Sequence, residues 1–198
     1  QPAGSTLSRA GAADRCEATT AEGSVGTVGV SAGDVDGDGN DDLLLVAESF
    51  TPPGADYPTG KAYLMLASDI LAQPAGTSIS LADAAYGLTP PIGATTAQEE
   101  SLKSAAVAGD VDGDGKDDLL LGAHQTNGFG AGTSYLVLAS ELLAQPSGTS
   151  VDLATASYRF TGEASGDLSG CSVASAGDVD GDGQADLLIG ARVHDTGG

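Results

Sequence analysis

The same fifteen residues recur three times with little change: GDVDGDGNDDLLLVA at 33–47, GDVDGDGKDDLLLGA at 109–123 and GDVDGDGQADLLIGA at 177–191. Counted from the first aspartate, each copy carries acids at positions 1, 3, 5 and 9. These are Asp34, Asp36, Asp38 and Asp42, then Asp110, Asp112, Asp114 and Asp118, then Asp178, Asp180, Asp182 and Asp186. Alternate carboxylates can converge on one hard cation if the backbone curls sharply, and the glycine at position 6 (Gly39, Gly115, Gly183) permits that turn. Position 7 is Asn40, Lys116 and Gln184, and such indifference to side chain fits ligation through the backbone carbonyl. Position 8 is Asp41, Asp117 and Ala185, so its carboxylate is dispensable and is not expected to be a ligand. An all-oxygen, carboxylate-rich set suits Ca²⁺ at three sites. Mg²⁺ prefers tighter octahedra that keep several waters and is the second choice. Without a cation the crowded carboxylates should repel one another, rise in pKa, and let the loop loosen or take up protons.

The pattern opens like an EF-hand but does not close like one. An EF-hand needs a bidentate acid at position 12 between flanking helices. Here position 12 is Leu45, Leu121 and Ile189, which marks a chain already entering a buried strand. Catalysis finds little support. A catalytic metal keeps a ligand position open for substrate, whereas five protein ligands leave room only for water. No GxSxG elbow is present, and His124 and His194 have no recurring nucleophile beside them, so they read as exposed loop residues. Tyr63, Tyr135, Tyr86 and Tyr158 recur in pairs at strand positions that suit packing.

Composition agrees. The formal net charge of -21 opposes nucleic-acid binding and attachment to anionic membrane surfaces. Three divalent cations carry six positive charges and would take that -21 to -15. No apolar run is long enough to span a bilayer as a helix. The polar opening QPAGSTLSRAG lacks a signal-peptide pattern, as expected of a mature or excised chain. Cys16 and Cys171 are the only cysteines, and one disulfide, pairing with other sequence, or two free thiols all stay open.

The loops need elements to hold them. Their first aspartates lie 76 and 68 residues apart, while the anchors QPAG at 1, QPAG at 73 and QPSG at 145 give a regular unit of 72 residues. The expected organisation is repeat 1 over 1–72, repeat 2 over 73–144 and a truncated repeat 3 over 145–198, all within one propeller-type domain. A third strand like GKAYLMLASDILA (60–72) and GTSYLVLASELLA (132–144) is expected for repeat 3 after Gly198. Short strand signals fall at 172–179, 185–191, 134–140, near the end of 150–162, and in 79–88. LASELLA and ATAS could add helical turns. Four strands per unit, repeated, predict an all-β fold of β-propeller blades, each a four-stranded antiparallel sheet.

Motif and repeat together resemble the FG-GAP repeat, the blade unit of the integrin α-subunit propeller and its bacterial relatives, whose pattern runs approximately FGxSVAxAGDVNGDGxxDLLVGAP. The corresponding segments are VGTVGVSAGDVDGDGNDDLLLVAE (25–48), LKSAAVAGDVDGDGKDDLLLGAH (102–124) and SGCSVASAGDVDGDGQADLLIGAR (169–192). The namesake ends depart: Phe-Gly is Val25-Gly26, Leu102-Lys103 and Ser169-Gly170, and Gly-Ala-Pro is Val46-Ala47-Glu48, Gly122-Ala123-His124 and Gly190-Ala191-Arg192. The resemblance implies blades that each hold Ca²⁺ between their first two strands, in rings of about seven blades that serve extracellular adhesion or ligand recognition. It also implies that residues near 14–22 form the outer strand of a preceding blade, and that blade cores start near 25, 102 and 169. Three blades do not close such a ring, so the expectation is a segment of a longer protein or copies associating through open blade edges. The expected function is a non-enzymatic, calcium-stabilised scaffold, secreted or at the cell surface, that recognises a protein or glycan. An accessory module of a secreted enzyme, for example a glycan-binding one, is the alternative.

Overall fold

A computed structural model of the chain describes residues 15–17, 25–74, 76–91, 100–124 and 130–193. The described residues form thirteen strands, two short α-helices and two single-turn 3-10 helices at Leu81–Asp83 and Leu153–Thr155. In chain order the strands and α-helices are β1 (Arg15–Glu17), β2 (Val25–Gly33), β3 (Asp42–Ala47), β4 (Lys61–Met65), α1 (Ala67–Leu71), β5 (Ser78–Ser80), β6 (Tyr86–Thr89), β7 (Ser101–Gly109), β8 (Asp118–His124), β9 (Thr133–Val137), α2 (Ala139–Leu143), β10 (Thr149–Asp152), β11 (Tyr158–Thr161), β12 (Ser169–Gly177) and β13 (Asp186–Ala191).

They make propeller-type blades. The first sheet runs β2-β3-β4-β6, all antiparallel neighbours, and the second repeats this as β7-β8-β9-β11. The third is the β12-β13 pair. Sheets therefore begin at Val25, Ser101 and Ser169, beside the expected starts. The first strand of each is built from small residues, as in SLKSAAVAG, which lets neighbouring sheets approach closely. At one such approach the Ser104 hydroxyl donates to the Gly170 carbonyl at 2.8 Å, and a Cβ at Gly122 would lie 2.1 Å from that carbonyl oxygen.

The second strand explains the run of leucines after each aspartate loop. It lies between sheets, so both faces are covered and strict alternation gives way to continuous apolar sequence. All of β8 from Asp118 to Ala123 is buried. Leu44, Val46, Leu64 and Leu88 of the first blade pack with Leu102, Leu119, Leu121 and Tyr135 of the second. Ala108, Leu120 and Leu136 of the second pack with Val173, Leu187 and Ile189 of the third. Two of the worn family positions meet in an ion pair: Lys103 Nζ lies 3.1 Å from Glu48 across the first two blades.

Three features differ from expectation. The segment expected as strand through 60–72 turns helical at Ala67, whereas LASELLA forms the helical turn expected of it at Ala139–Leu143. Short strands β5 and β10, which the sequence did not announce, pair in parallel with β1 and β6, so that β10 extends the outer edge of the preceding blade. Toward β5, β1 occupies the position that β6 has toward β10, which is that of an outer strand. Finally, Tyr63, Tyr135 and Tyr86 are buried as expected, but Tyr158 is exposed. Cys171 is a free thiol whose Sγ lies 3.5 Å from the Gly190 carbonyl oxygen. The side chain of Cys16, His194 and the third strand expected for repeat 3 lie outside the described residues.

Candidate metal centre

Each aspartate loop joins the first two strands of a sheet, β2 to β3, β7 to β8 and β12 to β13. Its curl is set by the carboxylate at position 1. Asp34 accepts the N–H groups of Gly37, Asp38 and Gly39 at 2.8–2.9 Å. Asp110 and Asp178 repeat this set in their own loops. Position 3 accepts the N–H of position 5, and position 5 accepts that of position 7, so each carboxylate is oriented by the loop it bends. The turn needs glycine at position 4 and again at position 6, where φ is +79° and +89° in Gly37 and Gly39, a region closed to most side chains.

Position 9 reaches back from the start of the second strand. Asp42 is buried and accepts two N–H groups, from Val35 at 3.0 Å and from Ala67 at 2.8 Å. Asp118 does the same with Val111 and Ala139. Each carboxylate thus ties its loop to the first residue of the helix that follows the third strand. Asp186 accepts the N–H of Val179 at 2.8 Å.

The side chains converge as a cation would require. Carboxylate oxygens of Asp34, Asp36 and Asp38 lie within 4.8 Å of one another, as do those of Asp110, Asp112 and Asp118, and of Asp178, Asp180 and Asp186. Oxygens bound to one Ca²⁺ at about 2.3–2.6 Å can be no more than about 5 Å apart, so each trio fits a single ion. Position 1 and position 3 belong to every trio, while position 5 joins in the first loop and position 9 in the other two. Asn40, Lys116 and Gln184 stand at the apex of their loops, where the N–H of each is used by the position 5 carboxylate.

Burial sets the electrostatics more than repulsion does. Loss of water pushes Asp42 up to about 6, with smaller contributions from Asp36 and Asp38, against the lowering effect of the Ala67 and Val35 N–H groups. Asp118 is raised for the same reasons, desolvation first. Asp36 is raised by desolvation, and its neighbours Asp38 and Asp34 add to it. The sequence argument assigned this rise to mutual repulsion, which turns out to be the lesser cause. Asp42 and Asp118, the two buried acids, thus hold a proton more tightly than a free carboxylate, and a bound cation would oppose that shift.

Sequence reasoning found no role for position 8. Asp41 accepts the Ser31 hydroxyl at 3.1 Å, and Asp117 leaves its own loop altogether to accept the N–H of Asp34 at 2.9 Å. The only sequence signal was its variability, which excluded a ligand without naming an alternative. His124, expected in an exposed loop, instead ends β8 half-buried, and the strand register sets it opposite Ser101 of β7.

No curated protein matches the chain. The FG-GAP repeat family model matches residues 104–137 and 172–198, which hold the second and third loops with the strands on either side.

Proposed function

We propose, from FG-GAP repeats carried on stacked propeller blades, that this chain is a calcium-binding scaffold for adhesion or ligand recognition outside the cell. The observation that carries the reading is recurrence: three carboxylates converge at the same corner of three successive sheets, each oriented by the same backbone bonds. Asp34, Asp36, Asp38 and Asp42 would hold the first ion, with the carbonyl of Asn40. Asp110, Asp112, Asp114 and Asp118 would hold the second with that of Lys116, and Asp178, Asp180, Asp182 and Asp186 the third with that of Gln184. Bound Ca²⁺ would supply charge neutralisation and a rigid cross-link rather than a reaction, a reading supported by the recurrence of one loop in three sheets, unlike a single catalytic centre. The chain is read as non-enzymatic, with a protein or glycan as its partner. Calcium sites of extracellular modules bind on the order of 10⁻⁴–10⁻³ M, a range filled outside cells and empty in a resting cytosol, which favours a secreted or surface location.

Calorimetric titration of chelator-treated protein with CaCl₂ tests this. The expected result is three ions per chain, with a higher melting temperature at saturation and a lower one in chelator. No heat of binding and no thermal shift would overturn the calcium reading.

A further inference from the structure

The loops of successive blades are fastened to each other. The Asp117 N–H donates to the Asp34 carbonyl at 3.1 Å, and the Asp34 N–H donates to the Asp117 carboxylate at 2.9 Å. One residue of the second loop thereby holds both backbone groups of the first loop's leading aspartate. The contact recurs between the next two loops, where the Ala185 N–H donates to the Asp110 carbonyl at 2.9 Å. There only the backbone half exists, since alanine has no carboxylate to offer the Asp110 N–H.

The docking geometry is otherwise the same. A Cβ at Gly33 would lie 2.7 Å from the Asp117 Cβ, and a Cβ at Gly109 would lie 2.7 Å from the Ala185 Cβ. Position 7 joins in: Lys116 lies across Gly37, its Cε 3.4 Å from where a Cβ would stand, and Gln184 takes the same place over Gly113. Gly33 and Gly109 accordingly need their bare backbone at positive φ, +73° and +84°, with no side chain to collide with the following loop.

We propose that Asp117, although it sits in the second loop, is a positioning residue for the first cation site. This rests on the calcium reading above. The Asp34 carboxylate orders three N–H groups of its loop, so fixing the Asp34 backbone fixes the ligand and the curl together. The second site lacks the equivalent arm because position 8 of the third loop is Ala185.

Amide hydrogen exchange during a calcium titration resolves the loops at 33–42, 109–118 and 177–186. In Asp117→Ala the calcium midpoint of the first loop should rise about threefold to tenfold, the net worth of one ordinary hydrogen bond. The second and third midpoints should stay in place. Ala185 shows that the fold accepts alanine at this position. Asp117→Asn keeps an acceptor oxygen and should recover most of the loss, and Ala185→Asp should lower the second midpoint. A shift confined to the second loop, no shift at all, or an asparagine variant as weak as alanine would overturn the assignment. If calcium protects no loop of the unmodified chain, the calcium reading itself fails. The Asp34 N–H in cation-free protein then still decides the fastening, since it must exchange faster in Asp117→Ala.

Discussion

The carboxylate at position 9 carries two duties. It can take a cation, and it bonds two backbone N–H groups that belong to different elements. Asp186→Ala is accordingly expected to weaken the third site at least about tenfold and leave the other two, as read by calcium titration with loop-resolved exchange. Proton linkage gives a second prediction. Asp42 is raised from 3.8 to about 6 in the folded, cation-free chain, so between those values the folded state holds a proton that the unfolded state has released. Its stabilising contribution is complete below 3.8 and is lost as pH rises through about 6. Asp118 acts in the same direction. Chelator-treated protein should therefore melt at a lower temperature at pH about 7 than at pH about 5, and saturating calcium should flatten or reverse the trend. A cation-free melting temperature that rises over this interval would show that other groups dominate. Position 9 was legible because it never varies among the copies. The role of Asp117 at position 8 was not, because its partner lies 83 residues away in another blade and local sequence cannot register such a bond.

At the level of elements, the loops and the strands beside them were legible from charge pattern and apolar runs. The helical turn in LASELLA was legible too, but the matching turn at Ala67 was not, since YLMLASDIL reads as strand through its β-formers. What ends the strand is tertiary: the Ala67 and Ala139 N–H groups are taken by Asp42 and Asp118 from the preceding hairpin. The parallel strands β5 and β10 escaped for a similar reason, being only three and four residues long and paired to another unit. Packing between blades gives a direct test. Leu120 is fully buried between the second and third sheets, so Leu120→Ala should cost about 2–5 kcal/mol in chemical denaturation. Leu188 holds the same place in the third sheet but is 62% exposed, so Leu188→Ala should change stability by about 0.5 kcal/mol or less in dilute monomer.

For the whole molecule, the sheets stack by one repeated rule, and the third presents the face by which the first two are covered. Val35 is fully buried while Val179, its counterpart, is 73% exposed. The strand β10, which leaves its own unit to lie along β6, has an evolutionary consequence. Duplication of a whole unit delivers, with each new blade, the strip that closes the exposed edge of the one before it. Such a chain can lengthen by copying without passing through an ancestor that has a raw, aggregation-prone border at every joint. Insertions between β9 and β11 would break that inheritance, whereas insertions in the connections that carry no shared strand would be tolerated.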